Sequence, residues 1–313
     1  MTTALHFLIA LMLVSAPVRA IEPELSAQDI LAKMHQAMAA LNYQGTVAFL
    51  KNDRLEPMKY AHAAALGVQQ ERLQSLNSPL REIVRDTDKV SCIFKDSQHI
   101  TLDYRPFEHS FLVDVPNDLN TASNSYQFER LGEENIAMLD TYVVAIIPKD
   151  QARYPRRIWV EKQQFLPLKA VLYDHTGKAL EQWMFTDFAV KDNIPFVTVN
   201  SPAATLPPQD SSTAPTAAAF EVTALPLGFR EIYFTQQHLH PSEPPVDHLL
   251  LSDGFTTVSV YMEHTRVGMP SGLKALGAVN AYSRSLNNYP VTVMGEVPVE
   301  TVKLIADGIK LKE

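Results

Sequence analysis

The side chains best suited to chemistry in this chain are three histidines close in sequence, His238, His240 and His248. An H-x-H pair on a strand presents two imidazoles to one side, an arrangement that can hold zinc or copper. Here the intervening "PSEPPV" makes a proline-rich loop, so solvated histidines are the expectation and no metal site is assigned. Asp86 and Asp88 could be read as the paired carboxylates of a glycosidase, but they flank a turn between strands, and turn chemistry accounts for them. Cys92 is the single cysteine, which excludes an intramolecular disulfide and a thiolate metal cluster. Its setting, "KVSCIFK", is an apolar strand pattern in which a free cysteine behaves as a small buried hydrophobe. Arg153-Tyr154-Pro155-Arg156-Arg157 is a basic cluster in a chain of net charge -8. It either protects a strand edge from pairing or meets an anionic headgroup or acidic peptide. No G-x-S-x-G, H-E-x-x-H, Walker or G-x-G-x-x-G sequence occurs, and glycine is scarce. A non-enzymatic protein without cofactor is therefore expected, and the acidic balance argues against nucleic acid as a partner.

The elements that would position these groups are mostly strands. Ser26 is placed to cap a helix, with Asp29 in its first turn and an apolar stripe of Ile30, Leu31, Met34, Met38 and Leu41. After Asn42 short strand-like runs follow one another: "YQGTVAFLK", "EPMKYAHAA", "QQERLQSL", "LREIVRD", "KVSCIFK" and "HITLDY". The rhythm resumes in "NIAMLDTYVVAIIPKD", "RYPRRIWVEK", "QFLPLKAVLYD" and "ALEQWMFTDF", the last two joined through His175-Thr176-Gly177-Lys178. Strands about ten residues apart with short turns read as an antiparallel meander, and so many in one sheet must curl. In the last of these strands Trp183 and Phe185 share one face and Leu180, Met184 and Phe188 the other, so both faces need cover. Between the strand sets, residues 105–128 show no period-two pattern but carry Phe107, Phe111, Leu112, Val115 and Leu119, as a covering element or a long loop would.

At the ends, and at a point within the chain, composition changes. Residues 1–20 contain an apolar run from Leu5 to Val14, too short to span a bilayer, followed by Val18-Arg19-Ala20, and read as a signal peptide. Residues 193–219 are dominated by proline, serine, threonine and alanine and read as a stiffened linker. Beyond it "VDHLLLSDGFTTVSVYME" is a hairpin with Asp253-Gly254 at its turn, and "GAVNAYSRSLNNYPVTVMGEVP" another with Asn287-Asn288. The chain closes in a helix with Pro298 at its start and a stripe of Val302, Ile305 and Ile309. The expected division is thus 1–20, 21–192, 193–219 and 220–313.

Taken together, "LNYQGTVAFLKNDRLEPMKYAH", "RLQSLNSPLREIVRD", "RYPRRIWVEKQQFLPLKAVLYDHTGKALEQWMFTDF", "HLLLSDGFTTVSVYME" and "GAVNAYSR…VTVMGEVPVETVKLIADGI" resemble the RseB/MucB family of periplasmic sigma-E regulators. The resemblance spans nearly the whole chain after residue 20. It implies an α+β protein whose large N-terminal domain is an unclosed, curved antiparallel sheet like that of the lipoprotein carriers LolA and LolB, plugged by helices. A small C-terminal α+β domain would help hold the periplasmic segment of an RseA/MucA-type anti-sigma factor. Binding there would shield the anti-sigma factor from DegS-type cleavage, and lipopolysaccharide or lipoprotein acyl chains would release it. Phe107, Phe111, Leu112, Val115, Trp183 and Phe185 are then candidates for lining the lipid hollow, and Tyr282 and Arg284 for meeting the partner. A periplasmic lipid or lipoprotein carrier is the alternative, and a homo-oligomer is left open.

Overall fold

The structure, a computed structural model, describes residues 24–77, 79–86, 90–94, 99–103, 110–198, 218–237, 244–265 and 271–312. The leader at 1–20, Phe107, Asp88, His238, His240 and linker residues 199–217 lie outside them.

The meander forms as its alternation demands. Strands β1 (Asn42–Lys51), β2 (Arg54–Ala65), β3 (Val68–Ser75), β4 (Arg81–Arg85), β5 (Val90–Phe94), β6 (His99–Asp103), β7 (Tyr126–Ile136), β8 (Leu139–Pro148), β9 (Arg156–Glu161), β10 (Pro167–Tyr173) and β11 (Ala179–Lys191) make one antiparallel sheet. Its order is β6-β5-β4-β3-β2-β1-β11-β10-β9-β8-β7, so the two edge strands stay unpaired with each other and the curved sheet is unclosed. Helix α1 (Ala27–Ala40) lies across it against β2, β7 and β8. Ser26 accepts from the Asp29 amide at 3.1 Å while Asp29 Oδ2 accepts from the Ser26 amide at 3.2 Å, which closes a capping box. Ile30, Leu31 and Met34 are fully buried, worth about 1.5–3 kcal/mol each.

Register decides which side chains share the inner face. Tyr43 pairs with His62, Gly45 with Tyr60, Val47 with Met58 and His62 with Glu71, so all of these point the same way. On β11, Phe49 stands opposite Trp183 and Val47 opposite Phe185, which places both aromatics on that face. Phe188 joins them, contrary to strict alternation: the register slips at Thr46/Val47, leaving Thr186 as a bulged residue that reverses parity. Phe188 consequently packs edge-on against Phe185 at 5.2 Å and near Tyr43 at 6.1 Å. Gly45 sits under this cluster; a Cβ there would come within 2.8 Å of the Phe185 ring and 2.1 Å of the Asp187 carbonyl.

Elsewhere the expected elements need amendment. "NIAMLDTYVV" is not one strand: Ala137 and Met138 adopt left-handed φ of 50° and 66° and turn β7 into β8. Strand β7 itself escaped the period-two reading. Cys92 is half-buried rather than buried, and desolvation pushes its thiol up, away from the reactive thiolate.

The second body is a smaller sheet. Strands β12 (Phe220–Val222), β13 (Arg230–Gln237), β14 (Val246–Ser252), β15 (Thr257–Glu263), β16 (Gly272–Leu276), β17 (Val279–Leu286) and β18 (Tyr289–Gly295) precede helix α3 (Val299–Asp307) and β19 (Ile309–Leu311); α2 (Leu119–Ala122) is a single turn before β7. Six of these strands pair in the order β13-β14-β15-β18-β17-β16, and β12 pairs with β19. Asn287 and Asn288, both with positive φ, make the β17–β18 turn. Pro298 occupies the N-cap position of α3 without a side-chain capping bond, and Val302 and Ile305 face the sheet; Ile309 belongs to β19, one residue past the helix's Gly308 cap.

Candidate functional site: a joint, a strap and the cleft between them

The two bodies meet at the β14–β15 turn. Asp253 Oδ1 accepts from the amides of Phe255 (3.0 Å) and Thr256 (2.8 Å), which shapes the turn. Asp253 Oδ2 accepts from the Tyr126 hydroxyl at 2.6 Å and from Arg153 Nε. Arg153 is fully buried. Its other nitrogens donate to Asp150 and to the Leu227 carbonyl, and its guanidinium lies over Tyr126 (5.3 Å) and Phe229 (4.9 Å). Each of the three guanidinium nitrogens thus has an acceptor and the cation meets two aromatic rings, as a buried arginine requires. Phe255, 2% exposed, enters the core of the large sheet beside Tyr126 and Phe128. Arg156 Nη2 donates to Thr256 at 2.8 Å, and Thr301 to the Ala152 carbonyl at 2.9 Å. Burial and the Asp253 carboxylate hold the Tyr126 phenol well above its ordinary range, so it stays a donor.

The basic run 153–157 is therefore this joint. Arg153 and Arg156 are engaged across it, and Arg157 stacks on Tyr173 at 5.1 Å. Both sequence readings missed this, because nothing local marks an arginine whose acceptors come from Leu227 and Asp253. The available signal was Phe255, a large apolar side chain at a hairpin tip.

A strap, residues 110–118, crosses the inner face of the large sheet. Glu71, 2% exposed on β3, anchors its start: the carboxylate accepts from Ser110 Oγ (2.6 Å), the Phe111 amide (2.8 Å) and the Tyr60 hydroxyl (2.9 Å), and pairs with Arg85 at 3.0 Å. Trp183 Nε1 donates to the Leu112 carbonyl at 2.7 Å. Leu112 and Val113 are buried, and Phe111 and Val115 pack against the same core as Trp183 and Phe185. Of the expected lipid-facing set, the described members are thus brought together, closed under the strap. The Tyr43 and Tyr60 phenols are raised by burial first and by Glu71 second.

Between strap, α1 and joint opens a cleft of about 570 Å3. His35 and Met38 of α1, His62, Glu71 and Arg85 of the sheet, Asp114 to Asp118 of the strap and Ser252 to Gly254 of the joint line it. Tyr282 and Arg284 are elsewhere: Tyr282 packs on the small core, and Arg284 donates to the carbonyls of Ala306 (2.8 Å) and Ile309 (2.9 Å), closing the end of α3. Of the histidine trio, only His248 is described, stacked on Tyr261 at 4.4 Å with Ser259 3.0 Å from Nε2. Among the described residues no cluster of metal-ligating side chains is placed to hold an ion, and no helix is long and apolar enough to cross a membrane.

An open sheet closed by a helix and a strap, and jointed to a second sheet beside a mixed-polarity cleft, defines a two-body sheet protein. The family model of the MucB/RseB N-terminal domain matches residues 26–208, and that of the MucB/RseB C-terminal domain residues 214–310. This chain belongs to the MucB/RseB family. It is similar to the sigma-E factor regulatory protein RseB of Haemophilus influenzae, 26% identical over 295 residues and 92% of each chain. The sigma factor AlgU regulatory protein MucB of Pseudomonas aeruginosa is 27% identical over 311 residues, 91% of this chain and 90% of that one. Two solved structures share the fold at 24% identity: the MucA/MucB complex of Pseudomonas aeruginosa (TM-score 0.71, 92% of this chain and 99% of that one) and a crystal structure of MucB (TM-score 0.64, 91% and 98%).

Proposed function

We propose that this chain regulates a sigma-E-type factor from the periplasm by binding the periplasmic segment of an RseA/MucA-type anti-sigma factor. It shields that segment from DegS-type cleavage without catalysing a reaction itself. The observation that carries this is the match of both family models along nearly the whole described chain, on both sides of the joint. The division is 21–192, a linker at 193–219, and 220–313. Lipopolysaccharide or lipoprotein acyl chains act as the releasing signal, and Phe111, Leu112, Val115, Trp183 and Phe185 form the apolar wall they would meet. Acyl chains suit such a wall because each buried methylene contributes about 0.8 kcal/mol. On the small sheet Tyr282 and Arg284 are the proposed partner strip; since Arg284 also caps α3, Tyr282→Ala is the cleaner probe.

The test is the affinity of the chain for the periplasmic segment of the anti-sigma factor encoded beside it, measured with and without purified lipopolysaccharide. Binding that weakens as lipopolysaccharide is added is the expected result. Lipid uptake without any binding to the segment would replace this reading with that of a carrier.

A further inference from the structure

The strap touches both bodies, and this gives it a role that neither body has alone. Its start is pinned to Glu71 and its middle to Trp183, inside the large sheet. Its far end reaches the joint: the Pro116 ring lies where a Gly254 side chain would stand, since a Cβ on Gly254 would come within 2.5 Å of Pro116 Cβ. Gly254 has φ +95°, a conformation that already selects glycine, and the missing side chain lets the proline seat against the turn. The next residue, Phe255, is the plug in the large core, and the preceding one, Asp253, holds Arg153. One turn therefore receives the strap and carries the joint.

We infer that the strap is a mechanical link: displacing it from Glu71 and Trp183 loosens the Asp253–Thr256 turn, and with it the joint between the bodies. The chemistry of the pins supports this. Glu71 is a buried carboxylate that takes two of its donors, Ser110 Oγ and the Phe111 amide, from the strap and the other two, the Tyr60 hydroxyl and Arg85, from the sheet, so a displaced strap leaves both oxygens short of a donor. Packed elements of this kind have discrete arrangements rather than continuous ones. Resting on the function proposed above, the link explains how an acyl chain entering beneath Leu112 would be felt by a partner held on the small sheet. The two binding events would then weaken each other by the same factor.

Native-state hydrogen exchange on the full chain, with no partner or lipid present, tests the link itself. Trp183→Phe removes the donor to Leu112 while keeping the site filled; exchange should rise about tenfold at Phe111 and Leu112, and also at the Phe255 and Thr256 amides of the other body. In a Pro116→Gly background, adding Trp183→Phe should raise exchange in the strap and produce no further change at the turn. Glu71→Gln, which loosens the strap at its other pin, should reproduce the pattern if Trp183→Phe folds poorly. A turn that keeps its protection while the strap loses it would overturn the inference, as would a turn that responds equally with and without Pro116. Because no partner enters this measurement, its failure leaves the regulator reading standing. A wild-type chain that ignores the anti-sigma segment sinks that reading while leaving the link to be judged by exchange.

Discussion

The interior beneath α3 and the interior beneath the strap are built on different principles. The small core is carried by Leu249, Leu251, Val258, Val260, Val291, Val293, Val302 and Ile305, whose contribution depends on volume. The inner face of the large sheet sets Tyr43, Tyr60, His62 and Glu71 among Val47, Met58 and Phe185. There each polar atom depends on a named partner: Glu71 on Ser110 and the Phe111 amide, His62 Nδ1 on the Leu41 carbonyl 2.8 Å away. A dry core resists rearrangement because any void is costly, whereas a polar one can exchange partners if donors are replaced. The core beneath α3 is thus the platform whose stability rests on volume, although the small sheet also buries Asp247 and His248, and the joint is where the two bodies meet.

The strongest way to break that division is to disconnect the two bodies. Arg153→Met leaves the buried Asp253 carboxylate without its cation, with Tyr126 and the turn amides as its remaining donors, and leaves Ser125 as the donor to the Leu227 carbonyl; removing one partner of a buried ion pair costs about 3–5 kcal/mol. Both tryptophans, Trp159 and Trp183, lie in the large sheet, so fluorescence follows that body while far-ultraviolet circular dichroism follows both. In urea the two signals should coincide for the wild type and separate for the variant. Coincident transitions in Arg153→Met would mean that the bodies fold as one unit without the joint.

Within the platform, Ile305→Ala should cost about 2–5 kcal/mol through the cavity it leaves. Its penalty should be the same at pH 7 and pH 10.5, since no titratable group is removed, and chemical denaturation at the two values checks this. The large sheet should behave otherwise. Burial raises the Tyr43, Tyr60 and Tyr126 phenols above their ordinary value of 10, so the folded chain keeps protons that the unfolded chain gives up. Their contribution is complete below pH 10 and is lost as pH rises through the folded values, by about 1.4 kcal/mol per phenol per pH unit. Tyr43→Phe should remove one phenol's share of that slope, read from stability between pH 9.5 and 11.

Much of this architecture is written in local pattern. Period-two alternation gave away the meander, Ser26 and Asp29 marked the start of α1, and Asp253-Gly254 and Asn287-Asn288 marked their hairpins. What local pattern could not carry came from partners distant in sequence. The parity of Phe188 is set by a bulge at Thr186 of β11, which only the pairing with β1 reveals. Strand β7 was hidden because as an edge strand it presents charged side chains such as Glu129, Glu133 and Glu134, and its turn contains no glycine, asparagine or proline. The strap was legible as apolar material without a period, but its pins, Glu71 and Trp183, were visible only once β3 and β11 faced it. Arg153 reads as surface charge in the sequence because its acceptors lie at positions 150, 227 and 253.

The hairpin turns offer a last and smaller contrast between the two ends of the large sheet. Asn52-Asp53, at the end beside the small sheet, and Asn287-Asn288 in the small sheet fill left-handed positions with residues that tolerate them. At the opposite end Leu66 (φ 53°) and Met138 (φ 66°) occupy the same kind of position, 104% and 93% exposed. Neither side chain gains burial, so the strain of a left-handed leucine or methionine is uncompensated within the fold. Leu66→Asn and Met138→Asn should each stabilise the chain by about 1 kcal/mol. They are far enough apart in the sheet order to add. Thermal unfolding of the single and double variants measures this. A loss of stability in either would mean that its apolar tip packs on something the fold of one chain does not contain.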